Sequence, residues 1–515
     1  MNRKFKFVSL LLAAALVTAM ITACSNNNNK NNNSATNETS TGKTTENAEK
    51  ATLDPYEITM AFPIFGAVPR DLEEVEAEIN KITQAKINAT VDILAISIGA
   101  YQQQMNLMFS GGEKLDLAFL FGAGGMYHSS AVSGKLLPID DLLKQHGQGI
   151  IQAVGEQYVD VPKINGKLYG VPIVDAYAKN TTYYMRKDLV DKYQIDVASI
   201  KTFDDVENVL KTIKENEPNI IPLAVTPGVG PVTSFRNYDD LGDRLGVLPD
   251  YDNGLKVVNL FETQDYADQL NRVHRWFQAG YINKDAATTT GQPMELIKAG
   301  RAFSAIYLGN PSQEDELEVQ TGYDLVGVEL YPPHATTGDV MGGLWTIAQH
   351  SENPERAMMF LNLMYSDKDI VNLLSWGIEG KHYVKISDTQ ADFPEGVDLT
   401  NAGYLMRDVG WMMGNQKLAY LSKTVKPNVW KLMDEFMARA IPSKALGFVF
   451  DTEPVKNEAV ALRNVLEQYA TALETGTVDP RDKLKDFNDK LKAAGIEKYM
   501  AEKQRQLDAW AASQQ

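Results

Sequence analysis

The sequence predicts an α/β fold that divides into at least two domains. Strand-like segments alternate with amphipathic helical segments in the first part of the body, which is the pattern of parallel βαβ units. A second series of strands and helices begins after about residue 175. The chain beyond residue 53 is about 460 residues long, which is too much for one hydrophobic core.

Residues 1–23 are predicted to form a signal peptide. Arg3, Lys4 and Lys6 precede an uncharged, Ala-rich run over 7–23, the order of a basic region followed by an apolar one. This run is shorter than the roughly 20 residues that a membrane-spanning helix needs. No later stretch of about 18 apolar residues follows, so no other segment is predicted to cross a bilayer.

Cys24 is the only cysteine of the chain, and the body is therefore predicted to fold without disulfides. The segment "ITAC" that ends at Cys24 resembles the bacterial lipobox, which implies a lipidated first residue of the mature chain. A single acyl chain anchors only reversibly, so several palmitate-like chains are expected. Residues 24–53 are rich in Asn, Ser and Thr and poor in apolar residues, which predicts a disordered linker between membrane and body.

The first α/β series supplies three predicted strands and two helices. "YEITMAF" and "ATVDILAI" flank a helix, "RDLEEVEAEINKIT", whose apolar residues recur at steps of three and four. A third strand over 115–121 follows a helix that ends at Gly111 and Gly112. Ligands of parallel sheets bind beyond the carboxyl ends of the strands, so the loops near Phe62, Ile96 and Phe121 are expected to matter.

The second series contains a helix with Thr202 as its predicted N-cap and two buried strands, "NIIPLAVT" and "AFSAIYLGN". A helix capped by Asn353, with Pro354 in its first turn, follows a "GGLWTIA" segment. Beyond about residue 408 the pattern is mostly helical.

Several of these segments, in this order, resemble the carbohydrate-type extracellular solute-binding lipoproteins of ABC importers (family 1). The resemblance rests on "GKLYGVPI", "YYMRKDLVDKY", "GGLWTIA" and "NPERAMMFLNLM". "WGIEGKHY", "ALGFVFDTEPVKNE" and "LKAAGIEKYMAEKQRQLDAW" are similar to a branch with an extended helical C-terminal region. The resemblance implies a periplasmic-binding-protein-like (Venus flytrap) fold, in which two hinged lobes close over a ligand.

The same resemblance implies the domain boundaries. Lobe 1 is expected over 54–175, lobe 2 over 176–333, a return to lobe 1 over 334–385, and a helical region mainly on lobe 2 over 386–515. The hinge crossings are expected near Asp175 and His334, where Pro172, Pro332 and Pro333 favour extended backbone.

A sugar cleft requires aromatic rings that stack on the ligand and polar groups that bind its hydroxyls. Eight residues at predicted loops or segment junctions fit this requirement, each with plain packing or a surface turn as its alternative. They are Phe65, Tyr177, Arg236, Asn310, Trp345, Trp376, Glu379 and Trp411. Trp345, just after Gly342 and Gly343, is the leading candidate for stacking.

Signals for other functions are weak. Acidic residues outnumber basic ones 67 to 50, and the net charge is −17, so no nucleic-acid partner is expected. The six histidines never stand four residues apart, "PDYDNG" lacks the spacing of a calcium loop, and "FGAGGM" lacks the Lys of a phosphate loop, so no metal or cofactor is expected.

The sequence favours a lipid-anchored, monomeric, non-enzymatic binding protein outside the bacterial cell membrane. It is expected to deliver an oligosaccharide to ABC permease subunits. A surface glycoside hydrolase remains open, because 67 acidic residues leave room for a pair of carboxylates about 5 to 10 Å apart. A binding protein for a peptide or another organic solute also remains open.

Overall fold

The computed structural model of the protein describes residues 53–122 and 125–514, without the side chains of residues 407 and 408. The predicted signal peptide and Cys24 lie outside the described residues, as does nearly all of the predicted linker.

The strands are β1 (Tyr56–Ile64), β2 (Ala89–Ser97), β3 (Leu117–Leu120), β4 (Gly170–Pro172), β5 (Lys179–Arg186), β6 (Ile221–Leu223), β7 (Tyr238–Asp239), β8 (Leu248–Pro249), β9 (Ala302–Gly309), β10 (Leu325–Ala335), β11 (Leu344–Ile347), β12 (Val384–Lys385), β13 (Gln390–Asp392), β14 (Leu421–Ser422) and β15 (Ile441–Pro442).

The helices are α1 (Leu72–Ile87), α2 (Ile98–Gly111), α3 (Met126–Val132), α4 (Asp140–His146), α5 (Gln148–Val154), α6 (Glu156–Val159), α7 (Lys187–Lys192), α8 (Phe203–Asn216), α9 (Gln264–Gln278), α10 (Pro293–Lys298), α11 (Gln313–Thr321), α12 (Thr337–Val340), α13 (Pro354–Ser366), α14 (Lys368–Trp376), α15 (Val429–Ala438), α16 (Lys456–Glu474), α17 (Pro480–Ala493) and α18 (Ile496–Ser513). None of the helices in the described part of the chain has the length and apolarity to cross a membrane.

Lobe 1 is built on a five-stranded sheet with the order β2-β1-β3-β11-β4. Strands β1, β2 and β3 are parallel, and β11 runs antiparallel to both β3 and β4. Helix α1 buries Leu72, Val75 and Ile79 of the stripe that the sequence periodicity predicts, but the fourth predicted residue, Ile82, is half-buried and Thr83 is buried instead. Apolar side chains from the sheet and its helices form one continuous core.

Lobe 2 is built on a second five-stranded sheet with the order β15-β10-β5-β9-β6. Strand β5 is antiparallel to both β9 and β10, whereas β6 is parallel to β9 and β15 is parallel to β10. Helices cover both faces of this sheet, with α8 and α9 contributing to one core and α10 and α11 to the other. Thr202 and Asp205 form a capping box at the start of α8, as the sequence predicts for Thr202.

The chain passes from the first sheet to the second over 173–178 and returns over 336–343. The first segment contains Asp175. The second starts a little later than the expected position, because β10 continues through Ala335 and His334 pairs with Ile441 of β15. Pairing with an additional edge strand therefore keeps His334 in the sheet of lobe 2.

The C-terminal region divides between the lobes, which differs from the expected placement mainly on lobe 2. Strands β12, β13 and β14 form a small sheet beside α14, so residues 384–422 stay with lobe 1. A third passage follows, and Lys426 already binds Asp315 of α11 in lobe 2, Nζ to Oδ1 at 3.0 Å. Helices α16, α17 and α18 then pack on the core of lobe 2.

Candidate functional site

The topology brings one edge of each sheet to the segments that join the lobes. Strands β1 to β4 all end at the edge of lobe 1 from which residues 173–178 depart. In lobe 2, β5 begins, and β6, β9, β10 and β15 end, at the edge that these segments reach. Loops at these two edges therefore line the space between the lobes, where the candidate site lies.

The edge of lobe 1 presents apolar and aromatic side chains. Phe65 directly follows β1 and is 59% exposed, and Val68 and Ile98 nearby are also exposed. Phe121, which directly follows β3, and Trp411 are half-buried, and both pack edge-on against Phe119. Phe65 is therefore an accessible ring of the kind that a sugar cleft requires. Part of the Trp411 side chain is also accessible to solvent.

Trp345 does not meet this requirement, and the structure corrects the expectation for it. Its side chain is fully buried in the core of lobe 1. The rings of Phe62 and Phe119 lie edge-on to it, with centroids at 6.3 and 5.5 Å, and its Nε1–H donates to the carbonyl oxygen of Met412. The packing alternative is therefore the correct one for Trp345.

Tyr177 is also buried rather than exposed. It lies in the first crossing segment, where its hydroxyl donates to the carbonyl oxygen of Ile173 at 2.7 Å and its ring packs 4.7 Å from that of Tyr158. The tyrosine closes a turn of the crossing, because its side chain binds the backbone four residues earlier. It offers no free hydroxyl to a ligand in this arrangement.

The "WGIEGKHY" segment packs inside lobe 1 instead of forming a ligand-binding corner. Trp376 is buried and donates from Nε1 to the carbonyl oxygen of Tyr420 at 2.7 Å. His382 is buried and faces Asp71, with Nε2 3.1 Å from Oδ2. Glu379 is exposed and pairs with Lys385, Oε2 to Nζ at 2.7 Å.

The tautomer of His382 follows from its partners. The backbone N–H of Ile378 donates to Nδ1 at 2.9 Å, so Nδ1 is an acceptor and Nε2 carries the proton that points to Asp71. Lys381 also binds the Asp71 carboxylate at 3.0 Å. Hydrogen bonds from Lys381 and His382 lower the pKa of Asp71 to about 2.

Arg236 lines a narrow pocket at the edge of lobe 2, which we call the lobe-2 pocket. Its other walls include Lys179 at the start of β5, Leu308 near the end of β9, Tyr331 and His334 near the end of β10, and Asp339 in the return segment. Burial disfavours the charge of Arg236, but the carboxylates of Asp240 and Asp339 outweigh it and raise the pKa of the guanidinium. The pocket thus combines charged, polar and aromatic groups next to a crossing segment.

Asn310 belongs to a second polar cluster at the same edge. Its Oδ1 accepts from the backbone N–H of Ser312 at 2.9 Å, and the hydroxyl of Ser312 lies 2.8 Å from Asn310 Oδ1 and 3.0 Å from Glu316 Oε1. Gln416 of lobe 1 donates to the carbonyl oxygen of Val174, and its Nε2 lies 3.4 Å from Asp175 Oδ1.

The carboxyls of Asp175 and Glu316 are accessible to solvent, yet protein surrounds them. This desolvation raises the pKa of both groups, and the charge of Asp175 raises that of Glu316 further. Solvent-accessible carboxyls with raised pKa values are typical of a concave site. Among the described residues, no group of three or more His, Cys, Asp or Glu side chains is placed to hold a metal ion.

Comparison with known proteins identifies the family. The model of the bacterial extracellular solute-binding proteins matches residues 70–370, which is more than half of the chain. The chain belongs to the bacterial extracellular solute-binding protein family. A domain of unknown function, DUF3502, matches residues 444–512 and thus covers most of α16 to α18.

Individual relatives of this solute-binding protein agree with that assignment. It is 30% identical over 477 residues to a carbohydrate ABC transporter substrate-binding protein of Streptococcus pneumoniae, covering 90% of this chain and 92% of the relative. The crystal structure of the N-glycan transport solute binding protein NgtS from the same species matches with a TM-score of 0.79 and 28% identity, over 90% of this chain and all of that one.

Two crystal structures of NgtS in complex with glycans match this chain with lower TM-scores. The complex with Man1GlcNAc gives a TM-score of 0.68 at 28% identity and 89% coverage of this chain, and the complex with Man5GlcNAc gives 0.65 at 29% identity and 90% coverage. Both cover all of the NgtS chain. These matches establish the two-lobe solute-binding fold for this chain.

Sequence reasoning placed Phe65, Arg236 and Asn310 at the edges where the structure has them, but it missed several neighbours. The sequence predicts only hinge positions for Asp175 and His334, and it predicts no pocket in lobe 2. The "YPPH" run at the end of β10 was the available signal, since two aromatic side chains stand there next to a crossing. Their convergence with Arg236 and Lys179 depends on pairing between distant strands.

Proposed function

We propose that this protein captures an oligosaccharide between its two lobes and delivers it to an ABC importer. The proposal rests above all on one observation: an exposed aromatic side chain, Phe65, stands at the edge of lobe 1, and polar clusters around Arg236 and Asn310 stand at the corresponding edge of lobe 2. A stacking surface on one wall and hydrogen-bonding groups on the other suit a sugar, which has apolar faces and hydroxyl rims.

The relatives support the same ligand class. A carbohydrate ABC transporter substrate-binding protein matches most of the chain, and NgtS forms crystalline complexes with mannose- and GlcNAc-containing glycans. The lower TM-scores of those complexes are consistent with lobes that rearrange when a glycan binds. Closure of the lobes over a ligand would bend the three passages of chain between the sheets, which are residues 173–178, residues 336–343 and the passage that follows β14.

The protein is proposed to act at the outer face of the cell membrane, together with an ABC importer. Cys24 is proposed to carry the lipid that holds the protein outside the cell membrane, with residues 24–53 as the spacer to the body. The partners are then the permease subunits of an ABC importer, and the protein acts as a monomer. It carries out no chemistry on its ligand, because its function is to bind and release.

The test is calorimetric titration of the full-length protein with a panel of oligosaccharides and peptides, followed by analysis of the recovered ligand. The expected result is saturable binding of at least one oligosaccharide, which is recovered intact. Release of shorter sugars would support the glycoside hydrolase alternative instead. Saturable binding of peptides without binding of glycans would refute the proposed ligand class.

A further inference from the structure

Residues 241–255, which we call the strained loop, concentrate unusual backbone conformations. Among the described residues, nine that are not glycine have a positive φ, and six of the nine lie in this loop. They are Leu241 (47°), Arg244 (65°), Asp250 (52°), Tyr251 (60°), Asn253 (44°) and Leu255 (57°). Left-handed backbone is costly for a residue with a Cβ, so contacts from outside the loop must hold it in this conformation.

The strained loop supports the wall of lobe 2 around Arg236. The hydroxyl of Tyr251 donates to the backbone carbonyl oxygen of Arg236 at 2.8 Å, and its ring is stacked on that of His334, with centroids 3.9 Å apart. The turn that leads into the loop carries Asp240, whose Oδ2 lies 3.7 Å from the guanidinium of Arg236. The backbone carbonyl oxygen of Asp240 accepts from the N–H of Asp243 at 3.2 Å. The conformation of the loop therefore fixes the position of Arg236 at the cleft edge of lobe 2.

Helix α18 holds the first part of the strained loop. Lys503 is fully buried, and its ammonium binds Asp243 Oδ1 at 2.5 Å and the carbonyl oxygen of Gly246 at 3.2 Å. The hydroxyl of Tyr499, one helical turn earlier, donates to the other oxygen of the same carboxylate. A buried ammonium is tolerated only with its partners in place, so Lys503 fixes the position of Asp243 against α18.

Further contacts hold the middle and the end of the loop. Glu474 at the end of α16 pairs with Arg244, Oε1 to Nη2 at 2.5 Å, and both side chains are largely buried. Gln504 of α18 donates from Nε2 to the carbonyl oxygen of Leu255 at 2.9 Å. All the side chains that make these contacts with the loop lie within residues 444–512, the segment that matches the domain of unknown function.

We propose that the C-terminal helices position the ligand-binding wall of lobe 2 by holding the strained loop through Lys503, Tyr499 and Glu474. The inference gives a role to the domain of unknown function, and it rests on the proposed function, because the wall around Arg236 belongs to the proposed glycan site. The three side chains act through the loop and are therefore positioning residues. If the helices only covered the core of lobe 2, weakening these contacts would lower stability and leave the cleft unchanged.

The first experiment needs no ligand and measures hydrogen exchange of backbone amides in the full-length protein by mass spectrometry. Lys503→Met keeps an unbranched apolar chain in the buried site but removes the charge that holds Asp243. Tyr499→Phe is a milder variant, because it removes only the hydroxyl. Exchange over 241–255 is expected to become at least tenfold faster in Lys503→Met and at least threefold faster in Tyr499→Phe. Peptides from helix α8 report global unfolding and should exchange at the wild-type rate.

Lys492→Met is the matched control. Lys492 also belongs to the C-terminal helices and pairs with a carboxylate elsewhere in lobe 2, with Nζ 2.7 Å from Glu262 Oε1. Its partner lies outside the strained loop, so the same substitution should leave exchange over 241–255 at the wild-type rate.

The second experiment titrates the same proteins with mannotriose, cellotriose and maltotriose by calorimetry. A loop that spends less time in the binding conformation lowers the apparent affinity in proportion. The trisaccharide that the wild type binds most tightly should bind at least fivefold more weakly to Lys503→Met and at least twofold more weakly to Tyr499→Phe. Lys492→Met should bind it with the wild-type affinity.

Three results would overturn the inference. Unchanged loop exchange in both variants would show that the helices do not hold the loop, and equal acceleration in the loop and in α8 would show only general destabilisation. Faster loop exchange with unchanged affinity would show that the loop does not shape the site, and the proposed function would stand. If Lys503→Met did not fold, Tyr499→Phe would decide by the same criteria. Failure of the wild type to bind any of the three sugars would count against the proposed function and the link to affinity, and hydrogen exchange would still decide whether the helices hold the loop.

Discussion

The indole Nε1–H of Trp345 donates a 2.6 Å hydrogen bond to the backbone carbonyl oxygen of Met412. This bond ties β11 to the segment between β13 and β14, and it lies in a fully buried site. Trp345→Ala is therefore expected to lower the free energy of unfolding by about 3–5 kcal/mol, the usual cost of truncating a buried aromatic residue. Urea denaturation measures this change.

Trp345→Phe keeps most of the ring and loses the hydrogen bond, so its expected cost is smaller, about 1–2 kcal/mol. Folded Trp345→Ala protein should retain the glycan affinity of the wild type. If Trp345→Ala had normal stability but reduced glycan affinity, Trp345 would stack on the ligand and would not be a packing residue.

Phe65 is the lobe 1 side chain that we expect to contribute most to affinity. Its ring is exposed, so Phe65→Ala should leave the melting temperature nearly unchanged. Loss of a stacking surface worth about 1–2 kcal/mol would weaken glycan binding roughly 5- to 30-fold in a calorimetric titration. Val460→Ala removes another exposed apolar side chain, on α16, and should change neither quantity. If the Phe65 variant and the wild type had equal glycan affinities, this ring would not be part of the binding site.

Position 377 requires glycine, because of its backbone conformation and because a larger side chain would collide with its neighbours. Its φ of 82° and ψ of −141° are accessible almost only to glycine, and a Cβ at this position would lie 2.5 Å from His382 Nδ1. Gly377→Ala is expected to destabilise the protein by about 3 kcal/mol, measured by urea denaturation.

Gly380→Ala provides the control for Gly377, because its φ is also positive but no atom lies within 4 Å of the added Cβ. Strain alone should cost about 1 kcal/mol there. Equal effects of the two substitutions would show that contact with His382 is unimportant.

The Asp71 carboxylate makes the stability of lobe 1 depend on pH. Its pKa is about 2 in the folded protein, below the roughly 3.9 of an unfolded chain, because Lys381 and His382 donate to it. The stabilisation is therefore fully present above about pH 5 and is lost as the pH falls through 4 towards 2.

Asp71→Asn should reduce the free energy of unfolding by about 1 kcal/mol at pH 7, since the exposure of Lys381 limits the gain from the ion pair. The difference from the wild type should shrink when urea denaturation is repeated at pH 4 and pH 3. Glu74→Gln removes the other, more exposed carboxylate partner of Lys381 and should have a smaller effect. A difference that stays constant with pH would contradict the role of the charge.

Cys24 is expected to anchor the protein to the membrane. Cys24→Ser should release the protein into the medium or leave it as an unprocessed precursor, because serine lacks the thiol that accepts the lipid. Cell fractionation with immunoblotting distinguishes these forms from membrane-bound protein. Cys24 is the sole cysteine, so the substitution affects no disulfide. Complete membrane attachment of a processed Cys24→Ser chain would contradict lipid anchoring.

The sequence by itself determined the family, the α/β alternation and the approximate edges of the site. Helix α1 illustrates why, because its buried stripe follows from a 3.6-residue periodicity that any local window contains. Phe65 was predictable in the same way, since a ring directly after a parallel strand stands at the ligand edge of the sheet.

Tertiary structure alone decided which aromatic residues are accessible and which distant groups meet. Trp345 and Phe65 both stand near strand ends in the sequence, but only Trp345 is enclosed, by Phe62, Phe119 and the segment around Met412. The meeting of Arg236 with His334 likewise requires the order of strands in lobe 2, in which β10, β5 and β9 lie side by side. Such contacts join residues that are 67 to 283 positions apart. Their energies come from packing and desolvation, which no local pattern of residue types encodes.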